Sequence, residues 1–189
     1  LRKGDSNYDI FYRFPNFSGN NYELVWNEYF RKEPFHQWFS AFEPILNGMG
    51  CSYYSYSNSY FDTAIHTDIC SPIATDPIWG DLGQAQQNIL LNAGLQIWNE
   101  LVKDLKPDIM LVSIKQNLFI NYIAQHFGNP IYTVTHNSDG TLRDIPTHIY
   151  SQQKILNGKS TKIIFANSAN KPFDKITNID KLKIGRVII

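Results

Sequence analysis

The run Ile109-Met-Leu-Val-Ser-Ile114 constrains the fold more than any other stretch of this sequence. It is apolar almost throughout and shows no alternation. A strand with one wet face would alternate with period two, so this run reads as a strand covered on both faces. Helical patterns flank it. Upstream, Gly83–Leu105 reads as a helix whose apolar stripe, Ala85, Ile89, Ala93, Ile97, Leu101 and Leu105, is led by Leu82 just before it, and Lys106-Pro107-Asp108 ends it. Downstream, Gln116–Phe127 reads as a helix capped by Gly128.

The remainder of the chain extends this alternation. Tyr8–Phe14 reads as a short strand stopped by Pro15. Asn21–Phe30 and Phe35–Leu46 read as helices, with aromatics recurring at three and four. Cys51–Tyr60 is a Tyr/Ser-rich loop, and Tyr60–Ile69 a second strand. Pro130–Thr135 and Thr147–Leu156 are further strands, separated by the turn Asn137-Ser-Asp-Gly140. Asn157-Gly158 between apolar runs is a hairpin signal leading into Thr161–Ala166. Asn178–Ile188 closes as a helix. The pattern predicts one α/β domain over residues 1–189, a three-layer αβα sandwich around a mostly parallel sheet.

Composition narrows the class. The 189 residues are 43% hydrophobic, which suits a chain that buries a core without disulfides. No apolar run approaches the roughly 18 residues of a membrane span, and the N-terminus shows no apolar signal region. It does not open on Met, which leaves room for residues upstream. Cys51 and Cys70 lack CxxC spacing and read as two reduced thiols, so the expected compartment is the cytoplasm. The net charge is zero but unevenly spread. Residues 151–189 hold eight Lys/Arg against Asp174 and Asp180, a surplus that a polyanion can use or an acidic body can pack against.

In a parallel α/β sheet, ligands bind beyond the carboxyl ends of the strands. Three loops are expected there: Pro15–Asn21, Asp68–Leu82 and Asn167–Phe173. His66 and Asp68 lie two apart on the predicted strand, so they share a face. Such a pair can orient a base, bind a metal or grip a ligand, although no third ligand is visible and no metal is expected. Equally, His66 can be a core histidine and Asp68 a turn cap. Trp79 can stack on a flat ligand or plug its own loop. Asn16 can orient a water and Phe17 can stack. Asn167, Ser168 and Lys171 suit phosphate contact. No Walker loop, GxGxxG or CxxC pair is present, and Gly4-Asp5-Ser6 lacks the preceding strand that a hydrolase nucleophile block needs.

The order of elements resembles the uracil-DNA glycosylase superfamily. The likeness rests on Phe14-Pro-Asn-Phe-Ser-Gly19, Thr67-Asp-Ile-Cys-Ser-Pro72, Leu105-Lys-Pro-Asp-Ile-Met-Leu-Val-Ser113 and the strand opening into Asn167-Ser-Ala169. It implies hydrolysis of the N-glycosidic bond of a flipped nucleobase, without a cofactor, and DNA or a nucleobase-containing ligand as partner. In that reading Asp68 holds the base, Asn16 places the water and Phe17 is an aromatic platform. Asn167 and Ser168 press on the DNA backbone and Lys171 holds phosphates, while His66 and Trp79 are kept as further substrate-binding candidates from the residues themselves. Two departures stand out. The family's His in the last loop is absent, and Asp68 replaces an Asn, so an ionised side chain there accepts hydrogen bonds and donates none. The alternatives are a non-catalytic nucleobase- or nucleic-acid-binding domain on the same scaffold, and a small-molecule hydrolase using His66 and Asp68.

Overall fold

The computed structural model describes residues 36–54, 62–70, 79–137, 139–168, 172–173 and 176–189. The predicted strand Tyr8–Phe14 and helix Asn21–Phe30 lie outside them, as do Asn16, Phe17 and Lys171. Two compact units divide the described chain, one within Ile65–Leu105 and the other within His36–Ala64 and Lys106–Ile189.

The larger unit is built on a four-stranded sheet. In chain order it holds α1 (His36–Phe39), α2 (Glu43–Gly48), β1 (Cys51–Ser52) and β2 (Asp62–Thr63). The smaller unit contributes α3 (Gln84–Leu105). Then follow β3 (Ile109–Ile114), α4 (Gln116–Tyr122), β4 (Asn129–His136), β5 (Leu142–Leu156), β6 (Lys159–Asn167) and α5 (Asn178–Ile188). Among the described residues the sheet order is β3-β6-β5-β4, and β1 pairs with β2.

The sheet is mixed, not mostly parallel. Only β3 runs parallel to β6, whereas β4–β5 and β5–β6 are antiparallel. The cause is local. The turn at Asn137–Gly140 and the pair Asn157-Gly158 are too short for a crossover, so each reverses the chain into its neighbour. Asn157 (φ 48°) and Gly158 (φ 81°) both adopt the left-handed conformation that a tight hairpin requires. β3 reaches β6 in parallel because α4 and the β4–β5 hairpin intervene.

β6 occupies the middle of the core. Ile163, Ile164 and Phe165 are all fully buried, which requires cover on both faces. On one face, Phe119 of α4 lies 4.1 Å from the Phe165 ring, and Phe127 stacks on that ring at 4.9 Å. On the other, Lys162 Nζ donates to Ile188 O at the end of α5 (2.5 Å). Positions 162 and 165 differ in parity, so they face opposite sides of the sheet.

α5 in turn crosses α2 at almost bare backbone. A Cβ on Gly185 would sit 2.1 Å from Ile45 O, and one on Gly48 would sit 2.3 Å from Leu182 O. Glycine at both positions is therefore a packing requirement. The Glu43 carboxylate closes the other side of α2: it accepts from the Ser52 hydroxyl and from Tyr53 N–H.

Several predicted elements are shorter than their sequence pattern. Tyr60–Ile69 is a strand only at Asp62–Thr63 among the described residues. The helix Gln116–Phe127 stops at Tyr122, because Phe127 turns back to pack on Phe165 and Tyr150. Phe35–Leu46 divides into α1 and α2. β5 begins five residues earlier than predicted, at Leu142. The α3 stripe is also rotated. Leu91, Gly94 and Trp98 form the buried face, whereas Ile89, Ile97, Leu101 and Leu105 are exposed.

Candidate functional site

Parallel strands bring their carboxyl ends together, and β3 and β6 are the parallel pair of the sheet. Their last register partners are Ile114 and Asn167. Three hydrogen bonds lock the ends. Ser168 N–H donates to Ile114 O (3.1 Å), Gln116 N–H donates to Asn167 Oδ1 (3.2 Å), and Phe173 N–H donates to Ser113 Oγ (3.1 Å). The last of these sets Phe173 against β3, at φ 50°, uncommon for a bulky side chain, and with the residue 1% exposed.

The bond from Gln116 sets the chemistry of this end. Lys115 is the residue before α4, and its own side chain makes no capping hydrogen bond. The helix is capped instead by Asn167, 51 residues downstream. Since a backbone N–H can only donate, the atom facing Gln116 is the amide oxygen. The amide nitrogen of Asn167 then faces away from the helix, on an exposed residue. Lys115 is exposed as well. The strand ends therefore present donors: the Asn167 amide N–H groups and the Lys115 ammonium.

Asn167 ends β6 and Ser168 follows it, the latter buried at 9% exposure. Lys115 and Gln116 were not among the predicted site residues. A signal was available, since they directly follow the most apolar strand of the sequence. The predicted site residues fall instead in the loops after the first, second and last predicted strands, which are rich in Asn, Asp, Ser and Pro.

The second cluster belongs to the smaller unit. His66 Nε2 lies 3.7 Å from Asp68 Oδ1. The two are not on a regular strand. The His66 side chain is 20% exposed and that of Asp68 is 71% exposed, so the carboxylate is largely hydrated. Two residues on, burial pushes the Cys70 thiol up from its ordinary pKa, and the Asp68 carboxylate adds to the rise. Trp79 opens a single 3-10 turn, Trp79–Asp81, and is half-buried. Its carbonyl accepts from Gln87 Nε2 (2.8 Å), which ties this turn to α3.

The basic end is partly committed to structure. Lys154 Nζ donates to Ile123 O, just past the end of α4. Lys159 Nζ donates to Lys106 O (2.7 Å) and pairs with Asp108 (2.8 Å). Lys162 holds Ile188 O, and the buried Lys181 donates to Ala41 O (2.9 Å). These ammonium groups satisfy carbonyls at chain turns and helix ends. Lys183 and Arg186 are exposed on α5.

Among the described residues, no group of three His, Cys, Asp or Glu is placed to hold a metal ion, and no helix is long and apolar enough to cross a membrane. Comparison of the chain with protein families, with curated proteins and with solved structures yields no match.

Proposed function

We propose that this chain binds a nucleobase-containing ligand, a nucleotide or a nucleic-acid segment, at the carboxyl ends of β3 and β6. The proposal includes a three-layer αβα arrangement around the sheet, the scaffold that the likeness to uracil-DNA glycosylases implies. One observation carries it. The paired ends of the parallel strands present hydrogen-bond donors from Lys115 and Asn167 at the place where open α/β sheets bind ligands. Among the described residues that form these ends there is no carboxylate or imidazole, so the arrangement suits binding more than proton transfer. The test is fluorescence anisotropy of a labelled single-stranded oligonucleotide against the purified protein over a salt series. The reading expects saturable binding that weakens with salt and is competed by mononucleotides. Binding that no mononucleotide competes selects the nucleic-acid segment as the ligand, and no saturable binding contradicts the reading.

N-glycosidic hydrolysis is the second reading, favoured by the His66–Asp68 contact in the smaller unit. There His66 orients the Asp68 carboxylate, and Asp68 accepts from a base edge that carries N–H groups. Oligonucleotides containing uracil, hypoxanthine, xanthine or alkylated bases provide the assay, read as abasic sites. Turnover that Asp68→Asn abolishes supports this reading. No turnover on any substrate, by wild type and variant alike, removes it.

A further inference from the structure

We infer that Lys115 and Asn167 form a donor pair that takes a phosphoryl oxygen, so the ligand enters the strand ends phosphate first. The inference rests on the proposed binding at this end and names the part of the ligand held there.

The polarity of Asn167 is decided by the backbone. An exposed amide ordinarily rotates to offer either its oxygen or its nitrogen. Here rotation would set the amide N–H groups against the Gln116 N–H, leaving two donors face to face. The oxygen is therefore spent on Gln116 at 3.2 Å. The NH₂ group is left as a directed donor, and it has no partner among the described residues. Lys115 follows Ile114, the register partner of Asn167, so its stem rises from the neighbouring strand end. No ion pair or hydrogen bond engages its ammonium among the described residues. Four other lysines of the larger unit, Lys154, Lys159, Lys162 and Lys181, are each tied to a backbone carbonyl. Lys115 is left available.

The pair offers donors and one positive charge. It matches a group made of acceptors with negative charge, and it opposes an exocyclic amino group. The Gln116 N–H is already occupied, so the site relies on the two side chains and not on the end of the short helix α4.

The test is isothermal titration of the full chain with three probes: inorganic phosphate, uridine monophosphate and uridine. Wild type should bind inorganic phosphate and the monophosphate, and bind uridine at least tenfold more weakly than the monophosphate. Asn167→Asp keeps an oxygen for Gln116 while replacing the donor with a repelling acceptor, so it should weaken both phosphate-bearing probes at least tenfold. Lys115→Met, at an exposed position, should weaken them several-fold with no change in thermal midpoint. That second variant keeps the test decisive if the first fails to fold. Equal phosphate affinity in wild type and Lys115→Met overturns the inference. Uridine binding as tight as the monophosphate overturns it too, yet leaves the nucleobase reading standing. Failure of all three probes removes the inference, while the oligonucleotide titration decides the binding reading separately.

Discussion

Asn167 accepts the backbone N–H of Gln116 across 51 residues of sequence, and this one bond ties the carboxyl end of β6 to the start of the helix that follows β3. It works as a side-chain cap supplied from another strand. Asn167→Ala removes the acceptor and should cost about 1 kcal/mol, the ordinary worth of a helix cap. Asn167→Asp retains an acceptor and should stay within about 0.5 kcal/mol of wild type. Urea unfolding of the three proteins measures the difference.

Gly48 and Gly185 should tolerate no side chain. A Cβ at either falls well inside contact distance of the opposite helix backbone. Gly185→Ala should force α2 and α5 apart and destabilise by about 3 kcal/mol, the upper range for overpacking. Gly140, at φ 85° with open space around its Cβ position, should respond mainly through backbone strain, with a cost of roughly 1 kcal/mol for Gly140→Ala. Thermal denaturation of the two variants side by side checks the order.

Phe165 should be the costliest aromatic to truncate. It is fully buried and meets Phe119 and Phe127 within 5 Å. Phe165→Ala should lose about 3–5 kcal/mol. Ile145, 81% exposed on β5, should change stability by no more than about 0.5 kcal/mol on conversion to alanine.

The Cys70 thiol should alkylate slowly at neutral pH. Burial first, and the Asp68 carboxylate second, raise its pKa, and both disfavour the reactive thiolate. Raising the pH should speed the reaction, with the rise displaced to higher pH than for a free thiol. Asp68→Asn removes one of the two causes and should speed alkylation at a given pH. Iodoacetamide labelling followed peptide by peptide separates Cys70 from Cys51.

Legibility in the sequence followed the reach of the forces involved. Ile109–Ile114 is a strand with the predicted bounds, because an unbroken apolar run has few other ways to be buried. The Asn157-Gly158 hairpin and the helix Asn178–Ile188 were equally plain; local turn chemistry decides the first, and in the structure Thr177 Oγ1 caps the second by accepting from Asp180 N–H. Strand direction was misread. The alternation of strands and helices pointed to a parallel sheet, whereas the two short turns around β5 required antiparallel neighbours. In α3, residues at spacing four made a continuous stripe, yet burial follows Leu91, Gly94 and Trp98. Periodicity finds a helix more readily than it finds which face is covered. At the strand ends, the Asn167 side of the site was visible as a polar loop. Lys115 carried only the weaker signal of following the most apolar strand, because its place beside Asn167 depends on β3 lying beside β6, a pairing between segments about 50 residues apart.

The most direct measurement is a nitrogen–proton correlation titration of the labelled chain with uridine monophosphate. Binding at the strand ends should shift the amide signals of Ser113–Gln116 and of Asn167 and Ser168, and in Lys115→Met the same shifts should need several-fold more ligand. Signals that stay unmoved at millimolar ligand, or shifts confined to residues away from β3 and β6, would contradict the account.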